Sequence, residues 1–466
     1  MTVAPDWKCL TPEITQLAES FEDKELALLP EDYSLLTDLY QLTMTACYVG
    51  KGLAQKRASF ELFVRQLPEN FGYLIAMGLE QALDYLEKLR FSPAQLNALR
   101  RTGIFQQAPE EFWSLLAESG FTGDVWAVPE GTAVFANEPL LRVEAPLWQA
   151  QIVETFLLNT LNYQSLIATK AARIRDVAGS EATLLEFGTR RAFSPQGALW
   201  AARAALAAGF DGTSNVLAAL KLGQKPRGTM AHAFVMALTA TSGSEEEAFQ
   251  VFHEYFPGAS LLIDTYDTVA AAQMLLKKVN AGEMQLSGVR LDSGDLVRLS
   301  QEVRSLLPEV SIFASGDLDE WEIAKLKAAG ACIDGYGLGT KLVTGVPIGG
   351  VYKLVEIDGI PTMKQSSNKA TYPGRKQIFR RWEQGKIHSD RLGLIDESLE
   401  GEQGLLQLFL KQGKRVKSPE SLAEIRDRTS TSVASLPDAT RQLNQPRQLP
   451  IEISSALWEL TEKTKR

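Results

Sequence analysis

Cysteine and histidine are both scarce in this chain of 466 residues. Cys9, Cys47 and Cys332 are odd in number and far apart, which excludes a disulfide framework and fits a reducing, cytoplasmic compartment. His232, His253 and His388 are equally scattered, so neither residue type supplies the clustered spacing of a zinc site. A basic excess is missing too: 48 Lys and Arg stand against 57 Asp and Glu, a net charge of -9. Nucleic acid or an anionic membrane would call for a basic face, so neither is an expected partner, and any anion site must be built locally. Long apolar runs are also absent. Met1 to Lys8 lacks the apolar core of a secretory signal. The longest uncharged stretch, about Ala231 to Ser244, falls short of the roughly 20 apolar residues that cross a bilayer.

What is present should fold: 45% of residues are hydrophobic and 23% charged, and the length fits two or three domains. Leu184 to Phe187, Ser260 to Asp264, Gly288 to Asp292 and Ser311 to Ser315 each read as a buried strand ending in polar residues. Shorter strands are expected at Phe210 to Asn215, Gly228 to His232 and Ile333 to Gly337. Between them lie helix signals: Ser194-Pro195 as a start with Gly209 as its stop, Ser244 with Glu247 as a capping box, and an apolar face from Val269 to Val279. This rhythm predicts an α/β fold with a parallel sheet, read as an irregular β/α barrel over residues 179–350. Residues 1–178 and 351–466 read as the two parts of an α/β sandwich domain. The first part includes antiparallel strands from Gly123 to Pro146 and a helix from Leu147 to Val177. The second ends in a tail of weak periodicity from Lys411.

In such a barrel the functional groups belong at the C-terminal ends of the strands. Glu186 to Arg191, Ser214, His232, Asp264, Asp292 with Asp295, Ser315 to Asp317 and Gly339-Thr340 all occupy that place. Each also has a plainer explanation. Arg190-Arg191 could form an ion pair with Glu186, and Arg290 could pair with Asp292 on the same strand face. Asp295 and Ser214 could be helix caps, and His232 a core histidine. Gly335-Tyr336-Gly337-Leu338-Gly339-Thr340 reads as a strand-to-helix turn whose N–H groups could approach a phosphate, or as a mere tight turn. Lys341, Lys353, Lys364, Lys369, Arg375, Lys376 and Arg380 supply cations nearby in sequence, or a solvated face.

Taken together, Thr37-Asp38-Leu39-Tyr40, Glu186-Phe187-Gly188-Thr189-Arg190-Arg191, Gly228-Thr229-Met230-Ala231-His232 and Leu291-Asp292-Ser293-Gly294-Asp295 resemble the nicotinate phosphoribosyltransferase family. The similarity runs from about Leu35 to Arg381. It implies an irregular barrel (type II phosphoribosyltransferase-like) with a sandwich domain made by both chain ends, in a homodimer with shared active sites. The implied reaction joins nicotinate to phosphoribosyl pyrophosphate, giving nicotinate mononucleotide and pyrophosphate in NAD salvage. ATP hydrolysis is coupled, which classes the enzyme as a ligase, and Mg²⁺ is the implied cofactor.

By this resemblance Tyr40 of one subunit and Phe187 of the other would sandwich the pyridine ring. Arg190 would sit by the nicotinate and phosphate end, and Ser214 near the carboxylate. Asp264, Arg290 and Asp292 would handle ribose hydroxyls and pyrophosphate, with Asp264 and Asp292 holding Mg²⁺ through water. Gly316 and Asp317 would continue the sugar site, Gly339 and Thr340 would hold the 5′-phosphate, and His232 would be phosphorylated by ATP. Ala233 departs from the Ser that many members carry after the histidine. The competing functions are a nicotinamide phosphoribosyltransferase, which should carry a carboxylate where Ser214 stands, a quinolinate phosphoribosyltransferase, whose chains are much shorter, and a non-catalytic phosphosugar-binding sensor, which needs no phosphorylated histidine.

Overall fold

Polar and apolar residues alternate from Arg57 to Leu62, yet every residue of Arg57–Val64 after Arg57 is buried, because this strand lies inside a seven-stranded sheet. The structure, a computed structural model, describes residues 26–118, 120–365 and 371–465. Arg57–Val64 pairs antiparallel with Pro139–Pro146 on one side and Gly350–Ile357 on the other, so early and late parts of the chain share one sheet. Asp124–Ala127 and Gln407–Lys411 extend it. A four-stranded sheet built on the hairpin Lys376–Glu383 and Lys386–Leu394 packs nearby, tied to the first by the buried Lys376–Glu61 pair at 2.8 Å. The 25-residue helix Glu154–Ala178 connects this region to the parallel sheet.

The expected helix Leu147 to Val177 is broken at Val153 into Leu147–Ile152 and Glu154–Ala178. The Ile152 carbonyl accepts instead from the Thr37 hydroxyl at 3.4 Å, one helix bond diverted to another segment.

The second sheet has six parallel strands in the spatial order Gly212–Thr213, Thr183–Glu186, Gly335–Leu338, Ser311–Ser315, Gly288–Leu291 and Leu261–Leu262. Three helices between them start where the sequence placed their caps: Ser194 accepts from Gly197 N–H at 2.9 Å, Ser244 from Glu247 N–H at 3.4 Å and Asp295 from Arg298 N–H at 3.1 Å. Asp267, not read as a cap, accepts from Ala270 N–H at 2.8 Å and starts another. Gly209, at φ +109°, follows the first of these helices.

No pairing joins the edge strands Gly212–Thr213 and Leu261–Leu262 among the described residues, so the irregular barrel is not closed by hydrogen bonds there. One reading is corrected here. Gly228 to His232 forms no strand; it is extended loop up to the helix His232–Ser242. The Gly-Pro composition nearby explains this, since Pro226 offers no N–H to a ladder. This loop stays bound to the sheet all the same: Arg227 N–H donates to the Thr213 carbonyl at 2.9 Å, and Met230 is buried in the hydrophobic cluster behind the sheet.

The tail beyond Lys411 is more structured than its periodicity predicts. Ser421 and Glu424 form a reciprocal capping box on the helix Leu422–Ser435. Thr429 donates to the Ala207 carbonyl and Arg426 to the Phe210 carbonyl, which pins this helix to the N-terminal edge of the parallel sheet.

One buried acid gives a stability test. Asp390 takes both bonds of the Arg380 guanidinium, at 2.8 and 2.6 Å, and Glu138 lies beside them with one oxygen unpartnered. Burial, then the Asp390 charge, pushes the Glu138 carboxyl well above the usual glutamate range. A folded-state value above the unfolded one contributes stability that is full below the unfolded value and is lost as pH rises through the folded value. Glu138→Gln, neutral throughout, should therefore melt progressively higher than the parent as pH is raised; parallel pH–Tm curves for the two proteins would contradict this.

Candidate active site

Side chains that share the inner face of the parallel sheet converge at its C-terminal edge. Glu186 ends its strand fully buried and accepts from Gly188 N–H and the Thr213 hydroxyl. Burial raises its carboxyl above the usual range, and those two donors pull it back. The expected Glu186–Arg190 ion pair is absent, because both carboxylate oxygens are already used. Arg190 and Arg191 are exposed after the strand.

Arg290 does not pair with Asp292 either. Its Nη1 donates to Thr229 Oγ1 at 2.6 Å, its Nε is buried without a partner, and its guanidinium carbon lies 6.0 Å from the Phe187 ring centroid. Burial depresses its pKa, the Asp292 and Asp264 charges raise it, and the nearby Arg190 charge lowers it further. Arg290 thus faces the Phe187 ring without a bonded carboxylate, and the exposed Arg190 is near enough for its charge to act on it.

Opposite them the acids are held by their neighbours. Asp264 Oδ2 accepts from Asp292 N–H at 2.8 Å and from the Ser293 hydroxyl at 2.6 Å, while Oδ1 is buried and unpartnered. Asp292 Oδ1 accepts from the Ser315 hydroxyl. His232 is the first residue of its helix, with Nδ1 3.1 Å from Thr265 Oγ1 and Nε2 4.0 Å from Asp264 Oδ1. Gly316, at φ +92°, crosses directly over this pair: a Cβ there would lie 2.3 Å from the Asp292 carbonyl oxygen. Asp317 follows, also left-handed at φ +46°. The turn therefore requires glycine at 316.

Ser214 donates to the Glu186 carbonyl at 3.3 Å and is not the helix cap; Asn215 is, accepting from Ala218 N–H at 3.0 Å. Gly335 and Gly337 lie inside a strand, as expected for Ile333 to Gly337, and the turn to the helix comes only at Gly339. Their lack of a side chain makes room for the rings of Phe313 and Phe187, which a Cβ would meet at 2.4 and 2.5 Å. Gly339 and Thr340 begin a helix of four residues, so any phosphate contact there would be local N–H bonding with little dipole behind it.

The expected cluster of C-terminal cations dissolves into structural pairs. Lys341 binds Asp319, Lys376 binds Glu61, Arg375 binds Glu144 and Glu356, Arg380 binds Asp390, and Lys353 donates to its neighbour's carbonyl. Lys369, like Cys9, lies outside the described residues. Tyr40 stands apart on the helix Leu39–Gly50, half exposed, with Glu154 and Asp38 as its charged neighbours; no described contact joins it to Phe187.

Sequence reasoning missed the hydroxyls of Thr213, Thr229, Thr265 and Ser293, which hold the charged groups in place; each lies within or beside a motif already singled out. It also missed Glu245, read only as a residue after a cap. Burial, then the charges of Asp267 and Asp264, push its carboxyl up to about 7. No group of three or more metal-ligating side chains occurs among the described residues, and no described helix is long and apolar enough to cross a membrane.

Cations without acidic partners thus lie at the same edge of the parallel sheet as acids with a spare oxygen. Comparison with known proteins gives the family. The nicotinate phosphoribosyltransferase N-terminal domain matches residues 35–162, the family's central model 182–314 and its C-terminal domain 397–461. A nicotinate phosphoribosyltransferase of Mycobacterium tuberculosis is 42% identical over 421 residues, covering 88% of this chain and 89% of that one. One from Bacillus subtilis is 38% identical, covering 93% and 95%. The crystal structure of human nicotinic acid phosphoribosyltransferase superposes with a TM-score of 0.81 at 30% identity, covering 92% of this chain and 100% of that one. The chain belongs to the nicotinate phosphoribosyltransferase family.

Proposed function

We propose that this chain transfers a phosphoribosyl group from phosphoribosyl pyrophosphate to nicotinate, releasing pyrophosphate, with ATP hydrolysis coupled to the transfer. The observation that carries this reading is the space beside Phe187 and the Arg290 guanidinium, which offers an aromatic face and a cation free of a bonded carboxylate, with the exposed Arg190 near enough for its charge to act on Arg290. An aromatic acid answers both. Its ring nitrogen supplies the lone pair that attacks the sugar C1 as the C1–O bond to pyrophosphate breaks, so no Ser, Cys or His nucleophile is needed on that substrate. Arg190 and Arg290 stabilise the negative charge, and Asp264 and Asp292 face the cationic sugar.

Asp264 Oδ1, buried without a partner, and the adjacent Asp292 carboxylate are the hard oxygen donors that suit Mg²⁺, bound through water. When bound, the ion would neutralise charge on the pyrophosphate. The turns at Gly316-Asp317 and Gly339-Thr340 present backbone to the sugar and its 5′-phosphate. With Nδ1–H donating to Thr265, His232 Nε2 keeps its lone pair to take the γ-phosphoryl group of ATP as ADP leaves. Tyr40, remote from Phe187 within one subunit, acts on the partner's site in a homodimer.

The test is turnover of labelled nicotinate against labelled nicotinamide, with phosphoribosyl pyrophosphate and Mg²⁺, with and without ATP. Product from nicotinamide alone would reject the acid assignment. Ser214 sharpens the comparison, since a hydroxyl can donate to a carboxylate whereas an ionised Asp only accepts and repels. Ser214→Asp should lower kcat/KM for nicotinate about tenfold or more, each ~1.4 kcal/mol of lost binding being a factor of ten. The nicotinate-to-nicotinamide ratio should fall with it; an unchanged ratio would remove Ser214 from substrate recognition.

A further inference from the structure

The interior of a closed parallel barrel is ordinarily filled by layers of large side chains. Here the inner face carries Gly288, Gly335 and Gly337, and the rings of Phe313 and Phe187 lie flat against the last two. A cavity of about 910 Å³ remains inside, within the ~300–1,000 Å³ of small-molecule sites. It begins at Thr183 and Ser260, where the strands start, and ends at Phe187 and Arg290, where they finish. At the starting edge it opens beside Tyr255 and Phe256, which are 71% and 57% exposed.

The charges lining this cavity share one sign. Lys225, Arg227 and Arg290 are present and no Asp or Glu is, in a chain whose net charge is -9. Thr183, Thr229 and Ser260 add hydroxyls, and the remaining walls are apolar or aromatic. A positive, apolar passage attracts a small flat anion and excludes magnesium-bound pyrophosphate, which needs many polar partners.

We infer that the sheet interior is a channel through which a small aromatic carboxylate reaches Phe187 and Arg290 from the N-terminal edge of the strands, opposite the edge that holds the phosphosugar. The inference rests on the reading of Phe187 and Arg290 as the pyridine site. It separates the routes of the two substrates, so the acid can enter after the phosphosugar has occupied the other end.

Gly258 lies at the mouth, exposed, and a Cβ built on it meets nothing within 4 Å, so Gly258→Trp obstructs the entrance without disturbing packing. Lys225→Glu reverses a mouth charge. The measurements are association and dissociation rates of labelled nicotinate by isotope trapping on protein preloaded with phosphoribosyl pyrophosphate, and Kd by equilibrium dialysis. For Gly258→Trp both rates should fall about tenfold with Kd within about twofold, the mark of an obstructed path to an intact site. For Lys225→Glu the association rate should fall about fivefold and lose much of its salt dependence. Association within about twofold of the parent in both variants would overturn the channel, whatever happens to Kd. A parent protein that binds no nicotinate would overturn the site reading, and the channel with it.

Discussion

Arg290→Met should lose about a thousandfold in kcat/KM for nicotinate while melting at the same temperature as the parent or higher, since a hydrogen bond to a charged group contributes ~1.5–3 kcal/mol and two or more are lost. The two effects separate because the folded protein uses this guanidinium poorly. Its Nε is buried without a partner, it has no bonded carboxylate, and Thr229 provides its one described hydrogen bond. Burying that charge costs stability, which methionine of similar length would recover. Steady-state kinetics and thermal unfolding on the same preparation decide the matter. Activity within tenfold of the parent would make Arg290 a structural residue, and a drop of many degrees in Tm would show that the fold depends on its charge.

Asp264→Asn is expected to lose about a hundredfold or more in turnover, and with it the ATP stimulation and phosphoryl label on His232, because it removes charge with little change of shape. An Asn oxygen in the Oδ2 position still accepts from Asp292 N–H and the Ser293 hydroxyl, so the turn stays in place. The amide nitrogen then replaces the unpartnered Oδ1, 4.0 Å from His232 Nε2, presenting a donor where the parent presents an acceptor. Incubation with γ-labelled ATP, followed by acid and base treatment, reads the histidine directly. Retained ATP stimulation in the variant would place the coupling at another residue.

Much of the strand pattern was readable because its cause is local. Leu184 to Glu186, Gly288 to Leu291 and Ser311 to Ser315 are mostly buried, so apolar residues dominate them, Arg290 being the charged exception, and a polar residue stands at or just after the end of each. The caps at Ser194, Ser244 and Asp295 were equally legible, since a cap bonds within three residues of itself. Gly228 to His232 was misread because the loop borrows its order from Thr213 and from the cluster behind the sheet, neither of them near in sequence.

The site divides along the same line. Residue types, their order and their places at strand ends follow from the chain alone, and so does the family resemblance that they carry. Which charges are free does not. Arg190 and Arg380 look alike in sequence, yet Arg380 is buried on Asp390 while Arg190 is exposed without a bonded carboxylate, and Glu186, which could have served Arg190 or Arg191, is bonded to Thr213 and Gly188 instead. A strand at glycines 335 and 337 was readable, but that their missing side chains make room for the rings of Phe313 and Phe187 was not. Periodicity and capping act over a few residues and are therefore written in the sequence. Pairing of charges and filling of space depend on which distant segments arrive at the same place, and that is settled only when the chain is folded.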